Sequence, residues 1–304
     1  MSKTSQELLS QPDCWRTAAA RAGNGADAGD GADGRSGRLL PAPGQRIALA
    51  GCGTSRYMAQ AMAAWREAQG DGVTDAFAAS EMPASRSYDL VIAISRSGTT
   101  TEVVQLANEL RQNGNRVLAI TAIPGMPVAD AADAVIDLPF ADEASVVQTR
   151  FATSVCALWR AHLGHDVSKL ADEAEAALNV ADEQDLGKFR QFVFLGRGAG
   201  AALASEAALK FGESALAWSE AYPAMEFRHG PISVIGEHTL VWAIGHLDED
   251  LAAQIEQAGA TVRRSAGDPM VDLVTVHRAA VTLAEAKGLN PDQPQRLTRS
   301  VILA

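Results

Sequence analysis

Short runs that are apolar at every position alternate along the chain with longer segments in which apolar residues recur every three or four positions. Residues 47–50 are a run of the first kind, and 89–94, 116–121 and 134–138 are nearly so, with polar residues at 89, 116, 121 and 137 only. Continuous rather than alternating apolarity predicts strands covered on both faces, as in a parallel sheet. A weaker strand is predicted near 74–79. Between these runs, helices are expected over 54–68, from about 101 to 113 with Gly114 as a stop, and over 145–163. The first half therefore reads as an α/β domain with a five-stranded parallel sheet.

The second half repeats the scheme. A strand at 192–195 leads into a helix over 201–216, a strand at 239–244, a weaker one at 260–264 and a helix over 271–287. Both halves open with a strand, a Gly-x-Gly turn and a helix: ALAGCGTS in one, FLGRGAGA in the other. This is a weak internal repeat, consistent with duplication of one α/β unit. Residues 166–187, rich in Ala, Asp and Glu, are predicted to connect the halves as a helix. Ahead of the first sheet, 4–21 reads as a helical arm, with Pro12 and Asp13 suited to a helix start and Trp15 as an anchor. Residues 23–37 hold six glycines and three aspartates. They lack the apolar side chains to offset ordering and read as a flexible linker. Asp27, Asp30 and Asp33 are spaced by three, unlike the alternating ligands of a calcium loop. The expected organisation is 1–38 arm and linker, 39–165 first domain, 166–187 connection, 188–304 second domain with a C-terminal tail.

Composition narrows the functional classes. The chain has 304 residues, 47% of them hydrophobic, which is enough for two domains without disulfide or metal staples. The formal net charge of −11 works against nucleic acid or anionic membrane as a partner. Cys14, Cys52 and Cys156 are odd in number and far apart, which fits a reducing compartment. No apolar run reaches the roughly 18 residues of a membrane span, and the N-terminus shows no signal-peptide core. A soluble cytoplasmic enzyme or small-molecule sensor is expected.

In such a sheet, ligands bind beyond the carboxyl ends of the strands. Gly51-Cys-Gly53-Thr-Ser-Arg56 and Gly196-Arg-Gly198-Ala-Gly-Ala201 are weak dinucleotide fingerprints. The first has Arg56 at the third glycine position, and the second lacks a following acidic residue for a ribose. The loop Ser95-Arg-Ser97-Gly98-Thr99-Thr100 is more informative. It places four hydroxyls, a glycine and a cation where a strand meets a helix N-terminus, which suits a phosphate monoester. A Ser/Thr helix cap would explain one hydroxyl, not four. Glu206, Lys210 and Glu213 fall on one helical face, as a solvated ion-pair face would. The stretch Glu220 to Pro231, with His229 before Gly-Pro, reads as an irregular loop that presents the imidazole. A carboxylate base with a neutral-pH acid is what enediol proton transfer requires. Cys52 reads as a packing residue, His162 and His165 as partners of a helix C-terminus. Trp65, Trp159, Trp218 and Trp242 read as core or interface anchors.

Six motifs in order, GCGTS, ISRSGTTTEV, SVVQTRFATS, GRG…EAALKFGE, SEAYPAMEFRHGP and GLNPDQPQRLTRSVIL, resemble the sugar isomerase (SIS) domain family from Leu39 onwards. They follow the order of the isomerase half of glucosamine-6-phosphate synthase. The Phe-Arg-His-Gly-Pro form and the QPDCW arm are similar to stand-alone tagatose/galactosamine-6-phosphate isomerase-deaminases. The resemblance implies two tandem three-layer αβα sandwiches with parallel sheets. It also implies a phosphorylated sugar or amino sugar as ligand, a homodimer, and no metal or organic cofactor. Ser95, Ser97 and Thr100, with the Arg96 backbone, would hold the phosphate, and Thr54, Ser55 and Gln148 would line the sugar site. Glu213 would shuttle the proton between C1 and C2, Lys210 would tune it, and His229 would open the ring, across the dimer interface in the synthase. The synthase's imine-forming lysine is replaced by Arg299, whose guanidinium stays protonated and cannot form an imine. The implied activity is aldose–ketose isomerisation of a phosphosugar, with loss of ammonia from an amino sugar as a branch. A fructosamine-6-phosphate deglycase and a non-catalytic sugar-phosphate-binding regulator remain alternatives.

Overall fold

The computed structural model describes residues 1–23, 39–83, 85–180, 184–265 and 267–303. The predicted linker, apart from Gly23, and its three aspartates lie outside the described residues. In chain order the elements are α1 (Lys3–Leu9), α2 (Gln11–Gly23), β1 (Ile47–Gly51), α3 (Thr54–Ala68), β2 (Thr74–Ala78), β3 (Leu90–Ile94), α4 (Thr101–Gln112), β4 (Val117–Thr121), α5 (Pro127–Asp130), β5 (Ala134–Asp137), α6 (Arg150–His162), α7 (Val167–Asn179), β6 (Gln191–Gly196), α8 (Ala199–Ala215), β7 (Trp218–Pro223), β8 (Thr239–Ile244), α9 (Glu249–Gln257), β9 (Thr261–Arg263) and α10 (Pro269–Ala286). The chain divides into two compact units. One comprises Asp13–Glu143, Arg150–Ser168 and Thr298–Ala304; the other comprises Met1–Pro12, Ala144–Thr149 and Lys169–Leu297.

The first unit holds five parallel strands in the order β2-β1-β3-β4-β5. Strands β1, β3 and β4 are buried at every position. Ala48, Ala50, Val91, Ala93, Val117 and Ala119 form one core layer with Val103, Leu106, Ala107 and Leu110 of α4. The chain turns outward from β1 to β2 on one side and to β3 on the other. That order makes the carboxyl ends of β1 and β3 the topological switch point, where open α/β sheets bind ligands. The two strands pair with Gly51 opposite Ile94, so the turn after β1 and the loop after β3 leave the sheet side by side.

The second unit holds four parallel strands in the order β7-β6-β8-β9, with Gly196 opposite Ile244. Phe211 of α8 packs on Phe192, Phe194 and Trp242, with ring centroids 4.8, 5.1 and 6.2 Å away. These contacts fix the rotation of α8, and with it the direction of the polar residues on its other side. In both units the turn glycine before the helix, Gly53 or Gly198, has a φ of 53°. The accompanying ψ near −125° is a backbone that side-chain-bearing residues avoid.

Several elements differ from the sequence expectation. The arm is two helices, because Ser10 turns back on the Glu7 carbonyl through both its N–H and its hydroxyl. Pro12, which has no N–H to donate, fits the first turn of the next helix. The helix expected from residue 145 begins at Arg150, whose N–H donates to Glu143 Oε1 at 2.8 Å. Ala144 and Ser145 are instead held by the Glu7 carboxylate, a contact 137 positions away for Ala144. The region read as an irregular loop from residue 220 starts as an edge strand, β7. Trp218 on that strand is 69% exposed and is no core residue, whereas Trp15, Trp159 and Trp242 are buried. Helix α9 was not expected. Among the described residues no helix is long and apolar enough to cross a membrane, and none of the three cysteines forms a disulfide.

Candidate functional site

The loop after β3 is a closed network of hydroxyls and amides. Ser95 Oγ accepts from the Gly98 N–H at 3.2 Å and donates to Thr100 Oγ1 at 3.4 Å. Ser97 Oγ accepts from the Thr99 N–H at 3.2 Å and stands 3.1 Å from the Thr99 hydroxyl oxygen. Gly98 has a φ of 67°, and a Cβ there would lie 2.5 Å from the Met126 Cβ, so only glycine closes this turn. Thr100 occupies the N-cap position of α4, yet its side chain makes no capping bond. The hydroxyls are therefore not consumed by capping. They gather at the positive end of a twelve-residue helix, where the first-turn amides favour an anion.

The Arg96 cation does not add to that field as its place in the sequence implies. Its side chain is 1% exposed and lies 3.7 Å from the buried Glu143 carboxylate. Its Nη2 donates to the Arg299 carbonyl at 2.8 Å. The guanidinium is neutralised locally and braces the loop from behind. Arg299 in turn forms an ion pair with Asp142. Thr54 and Ser55, at the start of α3 beside this loop, are buried. A Cβ at Gly51 would stand 2.6 Å from that of Ser55. Ser55, and not Arg56, thus holds the close-approach position of the turn. Cys52 packs against the core layer. Burial, then the Glu102 charge, pushes its thiol above the ordinary range, so it is no thiolate at neutral pH.

In the second unit, α8 carries a charged row in its last two turns. Lys210 Nζ donates to Glu213 Oε2 at 2.6 Å and stands 3.3 Å from Glu206 Oε1. Glu206 and Lys210 are essentially buried, while the Glu213 side chain is 20% exposed. This is not a solvated ion-pair face. Burial alone would lower the lysine; the Glu206 and Glu213 charges more than offset it, and its pKa is raised. Lys210 is therefore an ammonium, not a nucleophilic amine. The row leaves one carboxylate open to solvent beside a fixed cation, an arrangement that can accept and return a proton.

His277 of α10 faces this row and gave no sequence signal beyond being a lone histidine in an apolar helix. It is buried, and neither ring nitrogen has a hydrogen-bond partner. Burial, then the Lys210 charge, pushes its pKa down to about 3. His229 is exposed, in a short helical turn over Glu226–His229. Beside it Arg228 is tied to Asp250 and Gln254, at 2.6 and 3.0 Å. Gln148 is half-buried, and its Oε1 is buried without a hydrogen-bond partner. The structure thus gathers Thr54, Ser55, Ser95, Arg96, Ser97, Thr100 and Arg299 in the first unit. Lys210, Glu213, His229 and Gln148 belong to the second. Among the described residues no cluster of three or more His, Cys, Asp or Glu is arranged to hold a metal ion.

The SIS domain family model matches residues 42–160 and 185–262. The chain is 29% identical over 261 residues to the glutamine–fructose-6-phosphate aminotransferase (isomerizing) of Pyrobaculum aerophilum, covering 70% of this chain and 43% of that protein. The Zymomonas mobilis enzyme of the same name is 26% identical over 314 residues, covering 84% of this chain and 52% of that protein. The chain thus spans about half the length of these relatives. Among solved structures, glucosamine-6-phosphate deaminase from Thermotoga maritima superposes with a TM-score of 0.83 at 26% identity, covering 99% of this chain and 100% of that one. Tagatose-6-phosphate ketose/aldose isomerase from Escherichia coli gives 0.76 at 19% identity, covering 100% and 96%.

Proposed function

The chain belongs to the SIS domain family, and on that premise we propose that it is an enzyme of phosphosugar metabolism, acting by aldose–ketose isomerisation. The two units are read as tandem SIS-type αβα sandwiches. The observation that carries the reading is Glu213, a part-exposed carboxylate bonded at 2.6 Å to a buried ammonium that Glu206 holds from the other side. A base so fixed can remove the C2 proton and return it to C1 through an enediol, with no cofactor. Where C2 bears an amine, the same transfer gives a C2 imine that one water hydrolyses, releasing ammonia. The similarity to the Thermotoga deaminase supports that branch.

In this reading the hydroxyls of Ser95, Ser97 and Thr100 and the Ser95–Thr100 backbone, Arg96 included, bind the phosphate. Thr54, Ser55 and Gln148 line the sugar. His229 opens the ring, contributed between subunits of a homodimer in the cytoplasm. Lys210 fixes Glu213. Arg299 is a stationary cation held by Asp142, so no covalent enzyme–sugar adduct forms. The test is incubation with hexose and hexosamine 6-phosphates in deuterium oxide. Deuterium entering C1 or C2, lost by about a thousandfold in Glu213→Gln, is expected from the weight of a general base. Unaltered exchange in Glu213→Gln removes Glu213 as the base. A borohydride-trapped mass increment of a reduced hexose phosphate overturns the adduct-free route.

A further inference from the structure

Residues 144–149, just ahead of α6, form neither helix nor strand and belong to the same compact unit as α1. No helix or sheet therefore satisfies their backbone N–H groups. Helix α1 supplies acceptors instead. The Ala144 N–H donates to Glu7 Oε1 at 2.5 Å, and the Ser145 N–H donates to Glu7 Oε2 at 3.3 Å. The Ser145 hydroxyl also donates to Oε2, and its oxygen stands 3.0 Å from the Val147 carbonyl oxygen. Glu7, Ser145, Val147 and Thr149 are all buried. One buried carboxylate thus holds the opening of an otherwise irregular stretch.

Helix α1 is itself fixed at its other end. The Asp292 carboxylate accepts from the N–H groups of Lys3 and Thr4, at 2.9 and 2.8 Å, and from the Thr4 hydroxyl at 2.8 Å. Partial burial would raise the Asp292 carboxyl; the bonds from Thr4 and Lys3 more than offset it and hold its pKa below the ordinary range. Glu7 is therefore presented from a short strut that is tied down independently of the loop it holds. Within that loop the Gln148 Oε1 is buried without a hydrogen-bond partner. An amide oxygen left in that state costs stability, and it stays so only where the backbone around it is held in place.

We propose that Glu7 is a positioning residue for the sugar site: from α1 it fixes the loop Ala144–Thr149 and thereby places the Gln148 amide. The proposal rests on the reading of Gln148 as a residue that lines the sugar. Glu7 itself touches no substrate. Without its carboxylate the Ser145 N–H and hydroxyl lose a buried acceptor and the loop gains other arrangements. Apparent affinity then falls with the share of molecules that keep the binding-competent one.

The experiment is titration calorimetry with glucosamine 6-phosphate and with fructose 6-phosphate. The parent chain is compared with Glu7→Gln, Ser145→Ala, Gln148→Ala and the double variant Glu7→Gln/Gln148→Ala. Glu7→Gln keeps the side chain's shape but removes its charge and sets an N–H group against the loop's donors. Glu7→Gln and Gln148→Ala should each weaken phosphosugar binding by about three- to tenfold, the scale of one or two hydrogen bonds, and Ser145→Ala by less. In the double variant the loss should equal that of Gln148→Ala alone, because the loop then has no amide left to place. A purely structural Glu7 costs the same in both backgrounds, and that result overturns the proposal. So does parent-like binding in Glu7→Gln and Ser145→Ala beside weakened binding in Gln148→Ala, which leaves the sugar site standing. If Glu7→Gln does not fold, Ser145→Ala in the same two backgrounds takes its place. Parent-like binding in Gln148→Ala, or no binding of either sugar by the folded parent, overturns the sugar-lining reading and the proposal together.

Discussion

The two sheets pass through the same switch point and treat it in opposite ways. In the first unit β3 runs into the hydroxyl loop, and the N-terminal amides of α4 face it. In the second, β8 runs into Gly245, whose N–H donates at 2.7 Å to the carboxylate of Asp272, a residue of α10. That carboxylate also accepts from the Ser265 hydroxyl at 2.5 Å. Pro269 closes the remaining space, with its Cγ 3.0 Å from where a Gly245 Cβ would stand. The second turn, Gly196 to Gly200, brings glycines and alanines where the first brings Thr54 and Ser55. A Cβ on Gly200 would stand 2.6 Å from the Ile244 carbonyl oxygen. One edge carries a loop of hydroxyls at a helix N-terminus; the other gives its backbone donor to the protein's own carboxylate. The two sheets thus differ through a few residues at one loop, and the buried charged row of the second unit lies at the far end of α8 instead.

That contrast can be broken at Asp272. Asp272→Ala leaves the buried Gly245 N–H without its acceptor and takes one acceptor from the part-buried Ser265 hydroxyl, with an expected loss of about 1–3 kcal/mol of stability. Urea denaturation measures it, and phosphosugar affinity of the folded variant should stay as before. A variant as stable as the parent would mean that Asp272 does not seal the second switch point. The reciprocal change, Ser97→Ala in the first unit, should weaken phosphosugar binding by about 1–3 kcal/mol, the cost of an unpaired charged acceptor. Its denaturation midpoint should move little. An equal affinity by calorimetry would place the anion elsewhere.

A third effect lies in the pH dependence of stability. His277 sits at about 3 in the folded chain, against an ordinary value of 6.5. Between those values the unfolded chain takes up a proton that the folded one refuses. This contribution to stability is full above pH 6.5. It falls as pH drops towards 3, by up to about 1.4 kcal/mol per pH unit. His277→Leu should flatten that limb, read from urea midpoints between pH 4.5 and 7.5. An unchanged slope would assign the acid sensitivity to other groups.

What the sequence made legible follows from where the information is local. Strands such as Leu90–Ile94 are apolar at every position because both faces are covered, so they announce themselves. The glycines at 51, 53, 196 and 198 mark turns that a side chain would block or strain, and the hydroxyl loop is contiguous. Strand β7 was hidden because its exposed edge alternates Trp218, Glu220 and Tyr222 with Ser219 and Ala221, without an apolar run. Helix α9 buries only Leu251, Ala252 and Ile255, too few to stand out. The remaining misses are long-range. Glu7 dictates where α6 cannot begin, Glu143 turns the Arg96 cation inward, Ser300 meets Ser97 from 203 positions away, and His277 meets Lys210 from another helix. No window of sequence contains both partners of such pairs.

Strand β7 also has a bearing on how the protein behaves when concentrated. It is an outer strand of its sheet, with one ladder of backbone groups and a large indole turned to water. Such edges recruit other strands and seed aggregation. Here Glu220 accepts from the Trp218 indole at 2.9 Å, from the Gln191 amide at 3.2 Å and from the Tyr222 hydroxyl at 3.4 Å. It spreads one negative charge along the middle of the strand, and Pro223 ends the strand without an N–H to offer. A carboxylate in the middle of the strand sets like charges against each other when two copies of this edge meet, which is how edge strands are kept from pairing.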